Sequence, residues 1–266
     1  MDMDLKGKSV VVTGGGSNIG RAIVLGFAAE GAKITIADID VEQGEKTAAL
    51  ALAQGAAAAQ VVKTDITNLD QVKATFKAAA EKFGGVDVLV NNAGWWGPMG
   101  AFSQTEPDFW QKLVNINFIG VLHCTKAALE LMIPRNSGAI VFISSDAGRQ
   151  GEPRQAVYGG VKAAINGFMK TVAKENGRYG IRCNSICPGA TIPASSEEVG
   201  SNSSWLDPAQ TFTPEQMEKV AKSMPLRKLG RPQDIANAVI FMASAKSAGH
   251  ITGQVLSVSG GYSMVG

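Results

Sequence analysis

Ser9-Val10-Val11-Val12-Thr13-Gly14-Gly15-Gly16-Ser17-Asn18-Ile19-Gly20 is the stretch whose reading decides the fold. Its first five residues are a short, β-branched, apolar run, the pattern of a strand buried on both faces. Three glycines break that run. Residues 21–30 then follow with apolar positions at helical spacing, closed by Gly31. A glycine-rich turn counts as a motif only in such a context, with a strand before it and a helix after it. Without a Cβ the backbone can approach a bulky anion, and a helix N-terminus offers unpaired N–H groups and the positive end of a dipole. The pattern points to a pyrophosphate seated at the start of a helix. A tight turn with no ligand is the competing reading, and the rest of the chain decides between them.

A second strand, residues 34–37, ends at Asp38. A carboxylate about 20 positions beyond the glycine turn stands where it accepts hydrogen bonds from ribose hydroxyls. A 2′-phosphate there would meet a like charge, and neither the glycine loop nor the neighbours of Asp38 carry an Arg or Lys to offset it. The expected cofactor is therefore NAD rather than NADP. The plainer reading makes Asp38 a turn residue, a role that Asp40 could also fill.

The alternation continues with a helix over 41–54, a strand over 58–62 ending near Asp65, and a helix over 68–83 capped by Asn68. A strand over 86–90 runs into Asn91-Asn92-Ala93-Gly94, and a long helix over 107–132 is broken by Pro134. A strand over 139–143 leads to Ser144-Ser145-Asp146, and a helix over 158–178 precedes a strand over 181–186 that ends in Cys187-Pro188-Gly189. A helix over 234–243 and a strand over 255–258 complete the pattern. Short buried strands between amphipathic helices predict an α/β, Rossmann-like, doubly wound parallel sheet of about seven strands with helices on both faces. Right-handed crossovers bring the strand C-termini to one crevice. With no repeat and no linker, residues 1–266 read as a single domain. The polar stretch at about 190–231, helical only over 214–222, reads as a lid.

Composition excludes other classes. A net charge of +2 without any basic block gives no electrostatic case for nucleic acid. Met1-Asp2-Met3-Asp4 is acidic and leads straight into a strand, unlike a signal peptide. No uninterrupted apolar run approaches the ~18 residues of a membrane span, so the expected setting is the cytoplasm. Three cysteines argue against a disulfide framework; Cys124, Cys183 and Cys187 read as small buried apolar residues rather than metal or redox ligands. No metal site is expected.

Two stretches carry chemistry. Tyr158 and Lys162 lie four apart on a helix and share one face. A phenol, with a pKa near ~10, is a poor base at neutrality, and a nearby ammonium favours the phenolate. Such a tyrosine can exchange the proton of an alcohol while another group moves the hydride. The loop Trp95-Trp96-Gly97-Pro98-Met99-Gly100 is too aromatic for a linker. It falls at a strand C-terminus, where such a sheet binds its ligand.

In this order and spacing the chain resembles the short-chain dehydrogenase/reductase family over essentially its whole length. The matching motifs are Thr13-Gly14-x-x-x-Asn18-Ile19-Gly20, Asp65, Asn91-Asn92-Ala93-Gly94, Asn117, Ser145, Tyr158-x-x-x-Lys162 and Pro188-Gly189. The resemblance implies a NAD(P)-dependent alcohol dehydrogenase or carbonyl reductase with Asn117, Ser145, Tyr158 and Lys162 as catalytic tetrad. Ser145 rather than Ser144 is matched because it lies thirteen residues before Tyr158. Tyr158 is expected to exchange the proton and Ser145 to donate a hydrogen bond to the substrate oxygen. Lys162 is expected to depress the Tyr158 pKa and hold the nicotinamide ribose. Asn117 is expected to hold a water linking Lys162 to solvent.

The same resemblance assigns cofactor contacts to Gly14, Ser17, Asn18, Ile19 and Gly20 in the turn, and to Asp38, Asp65 and Ile66 on the adenosine side. Asn92, Ala93, Gly94, Pro188, Gly189 and Thr191 complete the set beside Tyr158 and Lys162. Substrate contacts fall to Trp95, Trp96, Met99, Ser145, Arg149, Gln155 and Tyr158. Three positions depart from the family pattern: Asn18 stands for a glycine, Pro193 for a threonine, and Ser259 for an aspartate before Gly260-Gly261. Asn tolerates positive φ best among the other residues, so the turn survives, and Thr191 could supply the hydroxyl lost at Pro193.

Family members commonly form tetramers, here through 107–132, 158–178 and 255–258, with the apolar ending Tyr262-Ser263-Met264-Val265 at the interface. The expected substrate is a bulky apolar secondary alcohol or ketone, cyclic or ring-bearing. An anionic group could meet Arg149 or Arg154. A 3-hydroxyacyl or 3-oxoacyl thioester is the alternative, because Asn91 to Trp95 and the run from Ile251 to Gly261 are similar to dehydrogenases of cyclic hydroxyacyl-CoA thioesters. A nucleotide-sensing regulator is the alternative outside enzymes, although it would not need the tetrad.

Overall fold

The computed structural model describes residues 2–193, 195–200, 203 and 213–265. Seven strands are present among them: β1 Ser9–Thr13, β2 Lys33–Asp38, β3 Ala58–Lys63, β4 Val88–Asn91, β5 Gly138–Ile143, β6 Ile181–Pro188 and β7 Val255–Val258. They form one parallel sheet in the order β3-β2-β1-β4-β5-β6-β7. The order reverses between β1 and β4, which opens a crevice at their C-terminal ends. Val11 pairs with Thr35 on one side and Leu89 on the other, so β1 is an interior strand of the sheet.

The helices are α1 Asn18–Ala29, α2 Val41–Ala53, α3 Leu69–Phe83, α4 Pro107–Val114, α5 Gly120–Met132, α6 Ala147–Gln150, α7 Ala156–Asn176, α8 Pro214–Ser223, α9 Pro232–Ala243 and α10 Ala245–Ala248. Alternation along β1 sorts them into two layers. Val10 and Val12 pack with Ile23, Phe27 and Ile235 of α1 and α9, whereas Val11 packs with Phe76, Val121 and Ile165 of α3, α5 and α7. Full burial of each such side chain contributes roughly 1.5–3 kcal/mol. The caps agree with the sequence reading. Asn68 Oδ1 accepts from the N–H groups of Asp70 and Gln71, and α3 ends on Gly84 at φ 87°.

The expected long helix over 107–132 is instead two helices joined by a π-helical turn, Asn115–Ile119. The buried Asn117 side chain draws one of its bonds from the Leu113 carbonyl and two from the backbone of Trp95. A polar side chain inserted there widens the turn. Pro134 lies in the following 3₁₀ turn, Ile133–Arg135. The run Pro107–Arg135 is long and apolar enough to cross a membrane by composition alone, a match the sequence analysis did not expect. Its residues Leu113, Val121, Cys124, Ala128 and Met132 are nevertheless buried, the last four against the sheet. Two short helices were not anticipated: α6, just after Ser145, and α10.

The stretch expected to be a lid holds a 3₁₀ turn, Ser196–Glu198, and α8, started by a Thr213–Gln216 capping box. Residues 194, 201–202 and 204–212 of it lie outside the described residues. Its ends are tied together by a bridge between Thr191 and Gly230.

Candidate active site

A cleft of about 1030 Å³ runs along the C-terminal ends of the strands. At one end lies the glycine turn. Gly14 has φ 64°, and a Cβ there would sit 3.0 Å from Ala93 Cα; at Gly20 a Cβ would come within 1.9 Å of the Gly14 carbonyl oxygen. Asn18 does adopt positive φ, 47°, so the turn survives its missing glycine. Its Oδ1 is buried without a partner.

The turn is clamped to β4. Thr13 Oγ1 accepts from the N–H groups of Asn92 and Ala93, both at 3.0 Å, while Asn92 Nδ2 donates to the carbonyls of Thr13 and Gly14. Asn92 thus shapes the cradle with its side chain. The α1 helix opens with no acidic residue in its first turn and no side-chain cap. Asp38, at the end of β2, accepts from Gly16 N at 2.8 Å and Asp40 N at 3.0 Å. Burial holds its carboxyl above the usual range, and those two backbone bonds oppose the rise. Asp65 accepts from the N–H and hydroxyl of Thr67, and Ile66 lies beside it, with its carbonyl 3.0 Å from His123 Nδ1.

This end of the cleft suits a dinucleotide. The glycine cradle admits no Cβ, the helix start carries nothing that repels a pyrophosphate, and a buried carboxylate waits one strand away. The segment 195–200 crosses it: Gly200 N donates to Ser17 Oγ at 2.9 Å and Arg21 donates to the Glu197 carbonyl at 2.6 Å.

The middle of the cleft holds the expected tetrad. Ser144 Oγ donates to the Lys162 carbonyl and Lys162 Nζ to the Ile143 carbonyl, each at 2.9 Å, which fixes α7 against the end of β5. The Lys162 ammonium lies 5.6 Å from the centroid of the Tyr158 ring. Burial pushes the Tyr158 phenol up to about 12, and a hydrogen bond with Ser145 pulls it partly back. Burial also pushes Lys162 down to about 8. Desolvation is the largest influence on both groups, and the Lys162 Nζ is engaged by a carbonyl.

Asn117 is fully buried; its Nδ2 donates to the carbonyls of Trp95 at 2.6 Å and Leu113 at 3.1 Å, and its Oδ1 accepts from Trp95 N. Both side-chain donors are therefore taken, while Oδ1 keeps a second lone pair. A Cβ on Gly94 would lie 2.8 Å from Asn117 Oδ1 and 3.5 Å from Lys162 Nζ, so only glycine passes between the two.

At the far end Trp95, Trp96, Met99 and Gln155 line the cleft with Ser145 and Tyr158, as the sequence suggests. Trp95 packs edge-on against Phe109 at 5.7 Å and carries Lys112 over its ring at 4.2 Å. Pro188, Gly189 and Thr191 also line it, and the Thr191 hydroxyl donates to the Gly189 carbonyl.

Arg149 is the exception. It is absent from the lining, because its guanidinium pairs with Asp146 at 3.3 Å and donates to the Val265 carbonyl. Arg154 takes the cleft position instead, donating to the Met99 carbonyl at 3.0 Å.

Several lining residues were not foreseen: Lys112, Glu152, Met217, Val220, Met224 and Tyr262. Met217, Val220 and Met224 recur at helical spacing, a signal that the sequence did offer. Lys112, on α4, and Tyr262, after β7, reach the cleft through the packing of elements far apart in the chain, and no local pattern announces them.

A family model described as enoyl-(acyl carrier protein) reductase matches residues 14–263. The galactitol 2-dehydrogenase of Agrobacterium fabrum is 36% identical over 263 residues, covering 97% of this chain and 98% of that protein. A 3-oxoacyl-[acyl-carrier-protein] reductase of a Synechocystis species is 32% identical over 260 residues, 98% of each. A crystal structure described as a short-chain alcohol dehydrogenase from Sinorhizobium meliloti 1021 superposes with a TM-score of 0.86 at 29% identity and covers 98% of both chains.

Proposed function

The chain belongs to the short-chain dehydrogenase/reductase family of oxidoreductases, and from that premise we propose that it uses NAD to interconvert a bulky, apolar, ring-bearing secondary alcohol and its ketone. One observation carries this reading. Tyr158, Ser145 and Lys162 share a cleft with Trp95, Trp96 and Met99 on one side and with the glycine cradle and Asp38 on the other.

NAD, when bound, supplies the hydride acceptor. The residues that would hold it are Gly14, Ser17, Asn18, Ile19 and Gly20 with the start of α1 for the pyrophosphate, and Asp38, Asp65 and Ile66 for the adenosine. Ala93, Gly94, Pro188, Gly189, Thr191 and Lys162 would surround the nicotinamide half. Asp38 would repel a 2′-phosphate, and neither the glycine loop nor the sequence neighbours of Asp38 carry an Arg or Lys to offset that charge. In the reducing direction Tyr158 gives its proton to the substrate oxygen, onto which Ser145 Oγ donates a hydrogen bond. In the oxidising direction Tyr158 must first lose that proton, and the Lys162 ammonium stabilises the phenolate as it forms. Each pKa unit moved is worth about 1.36 kcal/mol. The stretch 190–231 serves as a lid, anchored where Gly200 meets Ser17 and Glu197 meets Arg21.

The indoles supply large rigid apolar surface for a ring. A second reading, a hydroxyacyl or oxoacyl thioester, draws on Arg154 at the cleft and Lys112 over Trp95, two cations suited to an anionic arm. Absorbance of the reduced nicotinamide with a matched panel of linear, cyclic and aryl secondary alcohols tests both. Each is offered bare, with a carboxylate, and as a thioester. We expect the highest kcat/KM for bare cyclic or aryl alcohols with NAD. A preference for the thioester arm would favour the second reading. Tight nucleotide binding without turnover on any of them would mark a sensor instead.

A further inference from the structure

The segment after β7 is held in place by a chain of hydrogen bonds that ends beside Ser145. Ser257 Oγ donates to Asp146 Oδ2 at 2.6 Å, so its single hydrogen is spent there. The 2.8 Å contact between the Ser257 and Ser259 hydroxyls must then run from Ser259 to Ser257. Ser259 Oγ in turn accepts from Ser263 N at 3.3 Å. Every donor in the chain points toward one carboxylate, and Asp146 is only 2% exposed. Inside a protein such an aligned chain is stronger than the same bonds in water. The other oxygen of Asp146 pairs with Arg149, whose second nitrogen donates to the Val265 carbonyl. Asp146 N donates to the Pro188 carbonyl at 3.1 Å, which ties the carboxylate to the end of β6.

Two left-handed glycines, Gly260 at φ 63° and Gly261 at φ 88°, then turn the chain so that Tyr262 reaches the cleft. The Tyr262 hydroxyl donates to Glu152 Oε2 at 3.1 Å, and Glu152 lines the same cleft. The turn is pinned from outside by Leu226 N on the Gly260 carbonyl at 3.0 Å.

From this geometry we propose that residues 259–265 form the outer wall of the substrate end of the cleft. Tyr262 is its specificity-determining residue, setting the largest ring admitted. Asp146 is the positioning residue that holds the wall in register with Ser145. The proposal rests on the alcohol–ketone reading above and adds to it the residues that select size.

The test compares wild type with Tyr262→Ala, Asp146→Asn and Ser257→Ala, using NAD, a cyclic secondary alcohol and the same alcohol enlarged by a phenyl ring. In Tyr262→Ala the efficiency ratio of the enlarged alcohol to its parent should rise about tenfold, the scale on which an apolar pocket discriminates size. NADH binding, read by fluorescence, should stay within about twofold of wild type in Tyr262→Ala, since the Tyr262 hydroxyl is bonded to Glu152 at the substrate end. Asp146→Asn and Ser257→Ala should move the ratio the same way, raise KM more than they lower kcat, and speed amide exchange over 259–265 but not over α1. A ratio unchanged in Tyr262→Ala overturns the wall. Exchange over 259–265 unchanged in Ser257→Ala overturns the positioning role, and that variant carries the test even where Asp146→Asn fails to fold. Wild type inactive on every alcohol would instead sink the alcohol–ketone reading and with it the size selection, and the exchange experiment would still judge the positioning role.

Discussion

Tyr158 and Lys162 are each pushed by burial toward their uncharged forms, the phenol up to about 12 and the ammonium down to about 8. The phenol is therefore a proton donor held ready at neutral pH. Tyr158→Phe removes that proton and almost no volume. Turnover should fall by ~10²–10⁴-fold with NADH affinity unchanged, and a near-wild-type rate would refute the role. Lys162 leaves a mark on stability. Between pH 8 and the ordinary lysine value of 10.5 the unfolded chain holds a proton that the folded chain has released, so stability rises with pH across that window. Below pH 8 the burial cost is fully present. Lys162→Met should accordingly raise stability at pH 7 by on the order of 1–3 kcal/mol, with the gain shrinking toward pH 10.5. Melting temperatures taken across that range check it; a gain that is absent or independent of pH would refute it. Tyr158 acts in the opposite sense, its contribution complete below pH 10 and lost as pH climbs toward 12. At Asp38 the expectation concerns charge. Asp38→Ala should narrow the gap in kcat/KM between NAD and NADP, and a wild type that uses both equally would remove the argument.

At the scale of elements, the π-helical turn Asn115–Ile119 joins two parts of the site that lie 22 residues apart in sequence. Asn117 bonds both the N–H and the carbonyl of Trp95, so the aromatic loop and the α4–α5 pair move as one piece. Asn117→Ala would strand both groups of Trp95 and open a polar gap in the core. Each buried group left unpaired costs ~1–3 kcal/mol, so the melting temperature should fall and KM for ring-bearing alcohols should rise more than KM for NAD. Equal effects on the two would mean that Asn117 supports the fold without positioning the loop. The cap of α3, at Asn68, was legible because capping needs only one side chain near its own backbone. The π-helical turn was not, because its cause is a partner in the loop after β4.

For the whole molecule, β7 is the last strand of the sheet and its outer edge carries no neighbouring strand among the described residues. Leu256, Tyr262, Met264 and Val265 are exposed beside it, with Met264 at 77%. An apolar edge of this kind invites burial against a second copy, and we expect a homotetramer assembled through α4–α5, α7 and β7. Sedimentation at micromolar concentration decides it, and a monomer there would count against the assembly. Tyr262 takes part in both readings, since its hydroxyl faces Glu152 while part of its ring remains open.

The alternation of strands and helices, the glycine turn, the strand-end place of Asp38 and the helical spacing of Tyr158 and Lys162 were readable from the amino-acid sequence because each rests on short-range physics. Alternation, helical spacing and the freedom of a residue without a Cβ act within a few positions, and burial of both sheet faces follows from them. Only the tertiary structure decided that Arg149 serves a buried carboxylate rather than the cleft, that Ser259 bonds Ser257 and Ser257 in turn Asp146, and that burial raises the Tyr158 phenol. Those outcomes depend on which groups far apart in the chain meet out of water. A residue's own identity does not set its desolvation or the partner that satisfies it.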